Sequence, residues 1–115
     1  MDSNSFLGGG SVGLVPAGTR ARIFTRQVNR PGYDVELSMI GLGSQQSSAF
    51  CLVELVIGGQ TVLSETFEAN FSSSGYTLPF LRFAAMGLLE GYMTNGAGVD
   101  STLTCHVEGL YVPRV

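Results

Sequence analysis

Gly9-Gly10-Ser11-Val12-Gly13 reads G-x-S-x-G, the elbow that presents a nucleophilic serine, and Gly8, Gly10 and Gly13 read G-x-G-x-x-G, the loop that cradles a pyrophosphate. Both chemistries need a strand before the motif and a helix after it. Here the motif begins at residue 8 and a tract containing glycine and proline follows, so both matches are read as products of glycine-rich composition. A P-loop also needs a lysine, and all 6 basic side chains are arginines. His106 is the one histidine; a general base must have a nucleophile and an orienting group in reach, and no Ser or Asp spacing singles a partner out. Cys105 and His106 are adjacent, so on a strand they point to opposite faces. The 2 cysteines and 1 histidine fall short of a Cys/His zinc set. Glu54 and Glu65 flank Gly58-Gly59 and could meet across a hairpin as the paired carboxylates of glycosidases, or as a solvated or calcium-bound pair, although a domain this small leaves little room for a cleft. No catalytic, cofactor-binding or metal-ligating residue emerges, and the chain is expected not to be an enzyme.

The elements that would position any site are strands. Apolar residues make up 44% of the 115, enough for one core, while charged residues make up only 13%, against about 25% in average proteins. Such a surface is a solubility hazard for a lone monomer, less so where neighbouring subunits cover it. The net charge is −3, which argues against nucleic acid as a partner. No apolar run reaches the length of about 18 residues that a spanning helix needs. The opening MDSNSFLGGG has neither a basic nor a long apolar export region, so the chain is expected to stay in the cytoplasm where it is made. In that compartment Cys51 and Cys105 are expected as reduced core thiols.

Residues 1–18 are rich in glycine and serine and read as an extended arm, either a frayed terminus or a segment that orders against a neighbouring subunit. Phe6, Leu7, Val12, Leu14 and Val15 are its candidate partner-binding residues, because a wholly disordered tail rarely carries so many apolar side chains. Residues 19–115 read as one domain. TRARIFTRQV and YDVELSMIGL are expected to form a hairpin about a turn at Asn29-Arg30-Pro31-Gly32, with Arg26 opposite Asp34 or Glu36. Arg20, Arg22, Arg26 and Arg30 are thus explained as cross-strand charge pairing. AFCLVELVI and QTVLSETFE, joined by Gly58-Gly59, form a second hairpin. Phe50, Leu52 and Val56 are expected to share a face with Leu63 and Phe67, and Cys51, Val53, Leu55 and Ile57 the other; a strand apolar on both faces is either central or covered by another subunit. Residues 76–96 read as two strands broken near Gly87, with a helix through Ala84–Leu89 as the competing reading. STLTCHVEGLYV closes the chain with Leu103, Cys105 and Val107 inward and Thr102, Thr104, His106 and Glu108 outward. The total predicts an all-β, antiparallel β-sandwich or jelly roll of about 7–8 strands with an extended Gly-rich N-terminal arm.

Leu78-Pro79-Phe80-Leu81-Arg82-Phe83, followed by a glycine-punctuated strand, a turn and a last strand, resembles the C-terminal half of the small jelly-roll decoration (cement) proteins of tailed bacteriophages. In that family a Leu-Pro-x-Leu-Arg-aromatic run precedes two strands. The likeness covers the last third of the chain and carries over no individual binding residue; the first hairpin lies outside it. It implies a jelly-roll sandwich, a homotrimer, and binding at symmetry or pseudo-symmetry points of a capsid.

The expectation is therefore an oligomeric structural protein of a virion, on the capsid surface and in the host cytoplasm during assembly. Its partners would be itself and the major capsid protein or another virion protein, with no nucleic acid, membrane or cofactor. The alternative is a β-sandwich carbohydrate- or ligand-binding module, with Tyr33, Tyr76, Tyr92 and Tyr111 as stacking candidates.

Overall fold

The computed structural model describes residues 4–71 and 74–114, with the side chains of residues 79 and 80 outside that description. Among the described residues the chain is all strand and turn. The elements are β1 (Ser5–Val15), β2 (Arg20–Ser44), β3 (Ala49–Ile57), β4 (Gln60–Ala69), β5 (Ser74–Thr94) and β6 (Ser101–Pro113). They hydrogen-bond antiparallel in the order β1-β6-β2-β5-β3-β4.

Two of these strands are too long for one layer, and their bends make the sandwich. Residues 20–29 of β2 pair with residues 86–94 of β5, while residues 34–42 of β2 pair with residues 74–84. One layer is then β1, β6, the second half of β2 and the first half of β5. The other is the first half of β2, the second half of β5, β3 and β4. β1 closes one flank by folding over the first half of β2: an added Cβ on Gly8 would meet Phe24 at 3.4 Å, and one on Gly10 the Ile23 carbonyl oxygen at 2.6 Å. Glycine at both positions is what lets two strands from different layers approach so closely. The opposite flank is bridged by Phe67 against Tyr76, ring centroids 5.1 Å apart, and by the Tyr76 hydroxyl, which donates to the Glu68 carbonyl at 2.6 Å. Counted by half-strands there are eight segments, in line with the β-sandwich or jelly roll expected.

The core lies between the layers. Phe6, Leu37, Ile40, Leu42, Leu55, Leu89, Met93 and Leu103 are its largest fully buried side chains. Cys51 and Cys105 are free thiols inside it, and burial pushes the Cys105 thiol up to about 12.

Three expectations are corrected. The residues around Asn29-Arg30-Pro31-Gly32 do not turn the chain back: both runs belong to β2, and the register jumps from Asn29↔Met86 to Asp34↔Ala84, an irregular bulge at the bend between layers. Gly32 does take the positive φ (81°) that turn chemistry predicts, and its carbonyl accepts from the Arg114 amide at 2.8 Å. The Gly-rich N-terminal segment is not an arm outside a domain that begins at residue 19, because Ser5–Val12 pair with Leu103–Leu110 of β6. Finally, the Gly58-Gly59 hairpin forms as expected, with both glycines at positive φ (56° and 80°), but its faces differ. A register shift at Leu55/Val56 sets Leu55 opposite Leu63 and Cys51 opposite Phe67. One displaced residue moves a whole strand's side chains to the other face, so Leu63 and Phe67 join the buried side rather than Phe50 and Leu52.

Of residues 76–96, all through Thr94 are strand, the body of β5. The break foreseen near Gly87 is the point where β5 crosses between layers, at φ +121°.

Candidate interaction surfaces

The residues that could have done chemistry are scattered. Gly8–Gly13 lie in β1 with no helix after them, and Ser11 Oγ sits 3.2 Å from Thr104 Oγ1 on the outer face. His106 stands on that face between Gly9 of β1 and Gly41 of β2. Its ring lies on Gly41, where an added Cβ would meet Cε1 at 1.9 Å. Glu54 and Glu65 do not meet: Glu65 is opposite Val53 and Glu54 opposite Ser64, which puts the carboxylates on different faces. Among the described residues no group of three His, Cys, Asp or Glu gathers as a metal site.

The arginines pair across strands, though not as the hairpin reading had it. Ile23 is an extra residue between Arg22↔Tyr92 and Phe24↔Gly91. This bulge leaves Arg20 and Arg22 on the outer face and turns Arg26 to the inner one, beside Phe24 and Val28. Arg20 Nε then reaches Glu54 at 2.9 Å, and Arg22 reaches Glu90 at 3.3 Å. Arg26 is not opposite Asp34 or Glu36. Its guanidinium lies 5.0 Å over the Phe6 ring, and its Nε is buried without a hydrogen-bond partner. Arg30 sits between the rings of Tyr33 (4.2 Å) and Tyr111 (4.7 Å).

Asp34 and Glu36 pair instead with arginines far along the chain. Asp34 accepts from Arg82 at 2.9 Å and from Arg114 at 3.0 Å. The Arg82 hydrogen bond, opposed by some desolvation and aided by Arg114, holds the Asp34 carboxyl below the ordinary carboxylate range. A depressed folded pKa contributes stability above the unfolded value and loses it as pH falls through the folded value. Asp34→Asn is therefore expected to loosen the C-terminal residues 113–114 at neutral pH. The difference between wild type and variant should begin to shrink below about pH 4, the ordinary carboxylate value, and close only as pH falls past the depressed folded value. Amide exchange of Arg114 in both proteins, followed from pH 7 down through the acid range, checks both halves.

Of the five proposed partner-binding residues, the structure assigns two to the core and leaves two outside. Phe6 and Val15 are buried, Val12 is half-buried against the core, and Leu7 and Leu14 are exposed. Their distribution is that of a strand with one inner face.

One uncovered apolar surface was in the sequence as the two-faced β3. On the outer side of the layer containing β3, Phe50 is 68% exposed and Leu52 37%; on the same side of β5, Met86 is 52% and Leu88 38% exposed. Between them lies a polar band. Arg20 stacks 3.7 Å over the Tyr92 ring, and the Tyr92 hydroxyl donates to Glu90 at 2.8 Å, a bond that raises the phenol's pKa. Met86 and Leu88 escaped the sequence reading because a helix competed for that stretch.

No protein family and no curated protein matches the chain by sequence. Solved structures match by fold. A chain in the structure of the infectious bursal disease virus Gx strain superposes with a TM-score of 0.52 at 6% identity, covering 96% of this chain and 32% of that one. The insecticidal delta-endotoxin Cry8Ea1 of Bacillus thuringiensis matches with 0.52 at 21% identity, over 94% of this chain and 19% of that one. The N-terminal cellulose-binding domain of Cellulomonas fimi β-1,4-glucanase C gives 0.48 at 16% identity, over 94% and 80%. The chain thus spans about a third and a fifth of the first two, and the likeness is one of fold.

Proposed function

We propose that the chain is a structural protein of a virion, an oligomeric capsid decoration or cement protein that works by protein–protein contact with itself and with the major capsid protein or another virion protein. The observation that carries this reading is the uncovered outer face bearing Phe50, Leu52, Met86 and Leu88. A half-buried antiparallel layer normally turns polar residues outward, whereas this face carries two exposed apolar pairs, Phe50 with Leu52 and Met86 with Leu88, on either side of the polar band, and exposed apolar surface marks interaction sites. The resemblance of residues 78–83 to phage decoration proteins supports the same reading. Multivalency would let modest single contacts hold a trimer on a capsid. No catalytic role is proposed.

The first test is the mass in solution by light scattering. A trimer or larger closed ring of 12.1 kDa subunits is the expected result; a monomer at high concentration overturns the assembly reading. The face has its own test. Phe50→Ser with Leu52→Ser is expected to change stability by no more than about 0.5 kcal/mol per site, as exposed positions do. It should abolish co-sedimentation of the chain with particles of the virus that encodes it, while wild-type chain sediments with them.

One observation favours a second reading, a glycan-binding sheet: Phe50 stands on the same open face as the Arg20–Tyr92–Glu90 band, and sugars stack on such rings. Arg20 already covers one side of Tyr92, which leaves Phe50 as the bare platform. Binding on a glycan array that is lost in Phe50→Ser would favour this reading.

A further inference from the structure

Buried polar side chains are concentrated at one end of the sandwich. Among the described residues they are Ser44, Asn95 and Ser101, and all three tie together connections that gather there. Asn95 Nδ2 donates to the carbonyls of Val15 at 2.9 Å and Val99 at 3.0 Å. The Asn95 amide donates to the Thr19 carbonyl, and its own carbonyl accepts from the Gly18 amide. Asn95 thereby joins the β1–β2 and β5–β6 connections. Ser44 Oγ lies 2.7 Å from Ser101 Oγ and donates to the Ser47 carbonyl at 2.6 Å. The Ser101 hydroxyl accepts from the Gln46 amide at 3.1 Å, and Gln46 Oε1 accepts from the Thr102 amide at 2.6 Å. The Ser44 amide donates to the Asn70 carbonyl at 2.8 Å. These bonds join the β2–β3 connection to the end of β4 and the start of β6. Buried polar networks whose members are satisfied rigidify what they hold. Each connection at this end also shows solvent one large apolar side chain. Leu14 stands beside the first, Phe50 beside the second, Phe71 follows β4, and Val99 lies in the last. The Gly58-Gly59 hairpin is at the opposite end, beside Gly87.

We propose that this loop end, continuous at Phe50 with the open face of β3, is the surface that the chain sets against its capsid-side partner; this rests on the assembly reading above. The occupant is a protein surface, apolar at its centre and basic toward one side. Residues 16–19, 45–48, 70–73 and 95–100 contain no base and one acid, Asp100. Glu68 stands opposite Phe50. Both carboxylates are exposed and have no arginine partner among the described residues, whereas those of Asp34, Glu36, Glu54 and Glu90 do. Uncompensated acids disfavour nucleic acid and anionic lipid, which attract bases. Helices that lie in a membrane interface combine Trp, Phe or Leu with Lys and Arg; the chain has no tryptophan, and these four stretches have no base. Apolar anchors set among Ser, Gln and Asn match the core and rim of a protein interface. A backbone already held in place also loses little freedom on binding, so a few anchors suffice.

The test compares wild type, L14S/F71S/V99S and Asp100→Lys in three measurements: light-scattering mass, co-sedimentation with particles of the virus that encodes the chain, and binding to phosphatidylcholine vesicles. The three apolar positions are exposed, so the triple variant should keep the wild-type circular dichroism and melting curve; if it does not, Phe71→Ser alone makes the same comparison. The expected result is an unchanged mass and no vesicle binding by any of the chains. Affinity for the particles should fall about a hundredfold in the triple variant, the scale of one or two hot-spot side chains, and about tenfold in Asp100→Lys. Undiminished sedimentation of the triple variant overturns the loop end as the docking surface and leaves the assembly reading standing; the same result for Asp100→Lys overturns the basic partner. A smaller mass in the triple variant overturns the proposal in favour of a second copy as occupant, and vesicle binding lost in that variant overturns it in favour of lipid. A wild type that does not sediment with the particles overturns the assembly reading itself.

Discussion

Phe6→Ala is expected to lower the free energy of unfolding by about 3–5 kcal/mol, the usual cost of emptying a buried aromatic site. For a domain of this size that is a fall of melting temperature of about 12–20 °C. Residue 6 would be an unremarkable position in a free arm, where the same change would leave the melting curve alone. In the structure its ring is 0% exposed, packs edge-on to Tyr111 at 5.5 Å and lies under the Arg26 guanidinium. Its backbone is paired opposite Gly109. A denaturant melt of Phe6→Ala beside Leu7→Ala separates the two pictures, since Leu7 on the same strand is 61% exposed and should change stability by no more than about 0.5 kcal/mol. Deleting residues 1–18 is correspondingly expected to unfold the protein rather than merely dissociate it, because it removes β1 and leaves β6 with a bare edge.

The second large effect is expected at Gly109→Ala. Gly109 lies in β6, opposite Leu37 on one side and Phe6 on the other, where β2 carries a register shift between Leu37 and Met39. An alanine methyl there would stand 2.1 Å from the Glu36 carbonyl oxygen and 2.9 Å from Leu37 Cα. Both are backbone atoms, so relief requires separating strands rather than rotating a side chain. The expected loss is about 3 kcal/mol, the upper part of the range for overpacking, against a total stability of about 5–15 kcal/mol. Gly98→Ala is the control: nothing lies within 4 Å of its added methyl, and its melt should coincide with wild type. Equal melts for Gly109→Ala and Gly98→Ala would show that β2 and β6 are not paired as described.

Local alternation and turn chemistry determined a good part of this protein from the sequence alone. Gly58-Gly59 marked its hairpin because both residues must take positive φ, a demand that glycine meets without steric cost. Leu103, Cys105 and Val107 announced the inner face of β6 through plain period-2 spacing. The unusual apolar outer face of β3 was likewise visible, since Phe50 and Leu52 alternate with Cys51 and Val53. Sheet membership was not legible in the same way. β1 hid its inner face behind Gly8 and Gly10, which show no hydrophobic period because they have no side chain; only the spacing of Phe6, Val12 and Val15 hinted at it. Asn29-Arg30-Pro31-Gly32 carries the chemistry of a turn, but whether such a stretch reverses the chain or bends it depends on which strands lie alongside. β5 supplied a partner on both sides of it, so β2 ran on. The bulges at Ile23 and Val62 decided which charges pair and which faces are buried. A single inserted residue inverts the parity of everything beyond it, and its place is set by contacts between residues far apart in the chain.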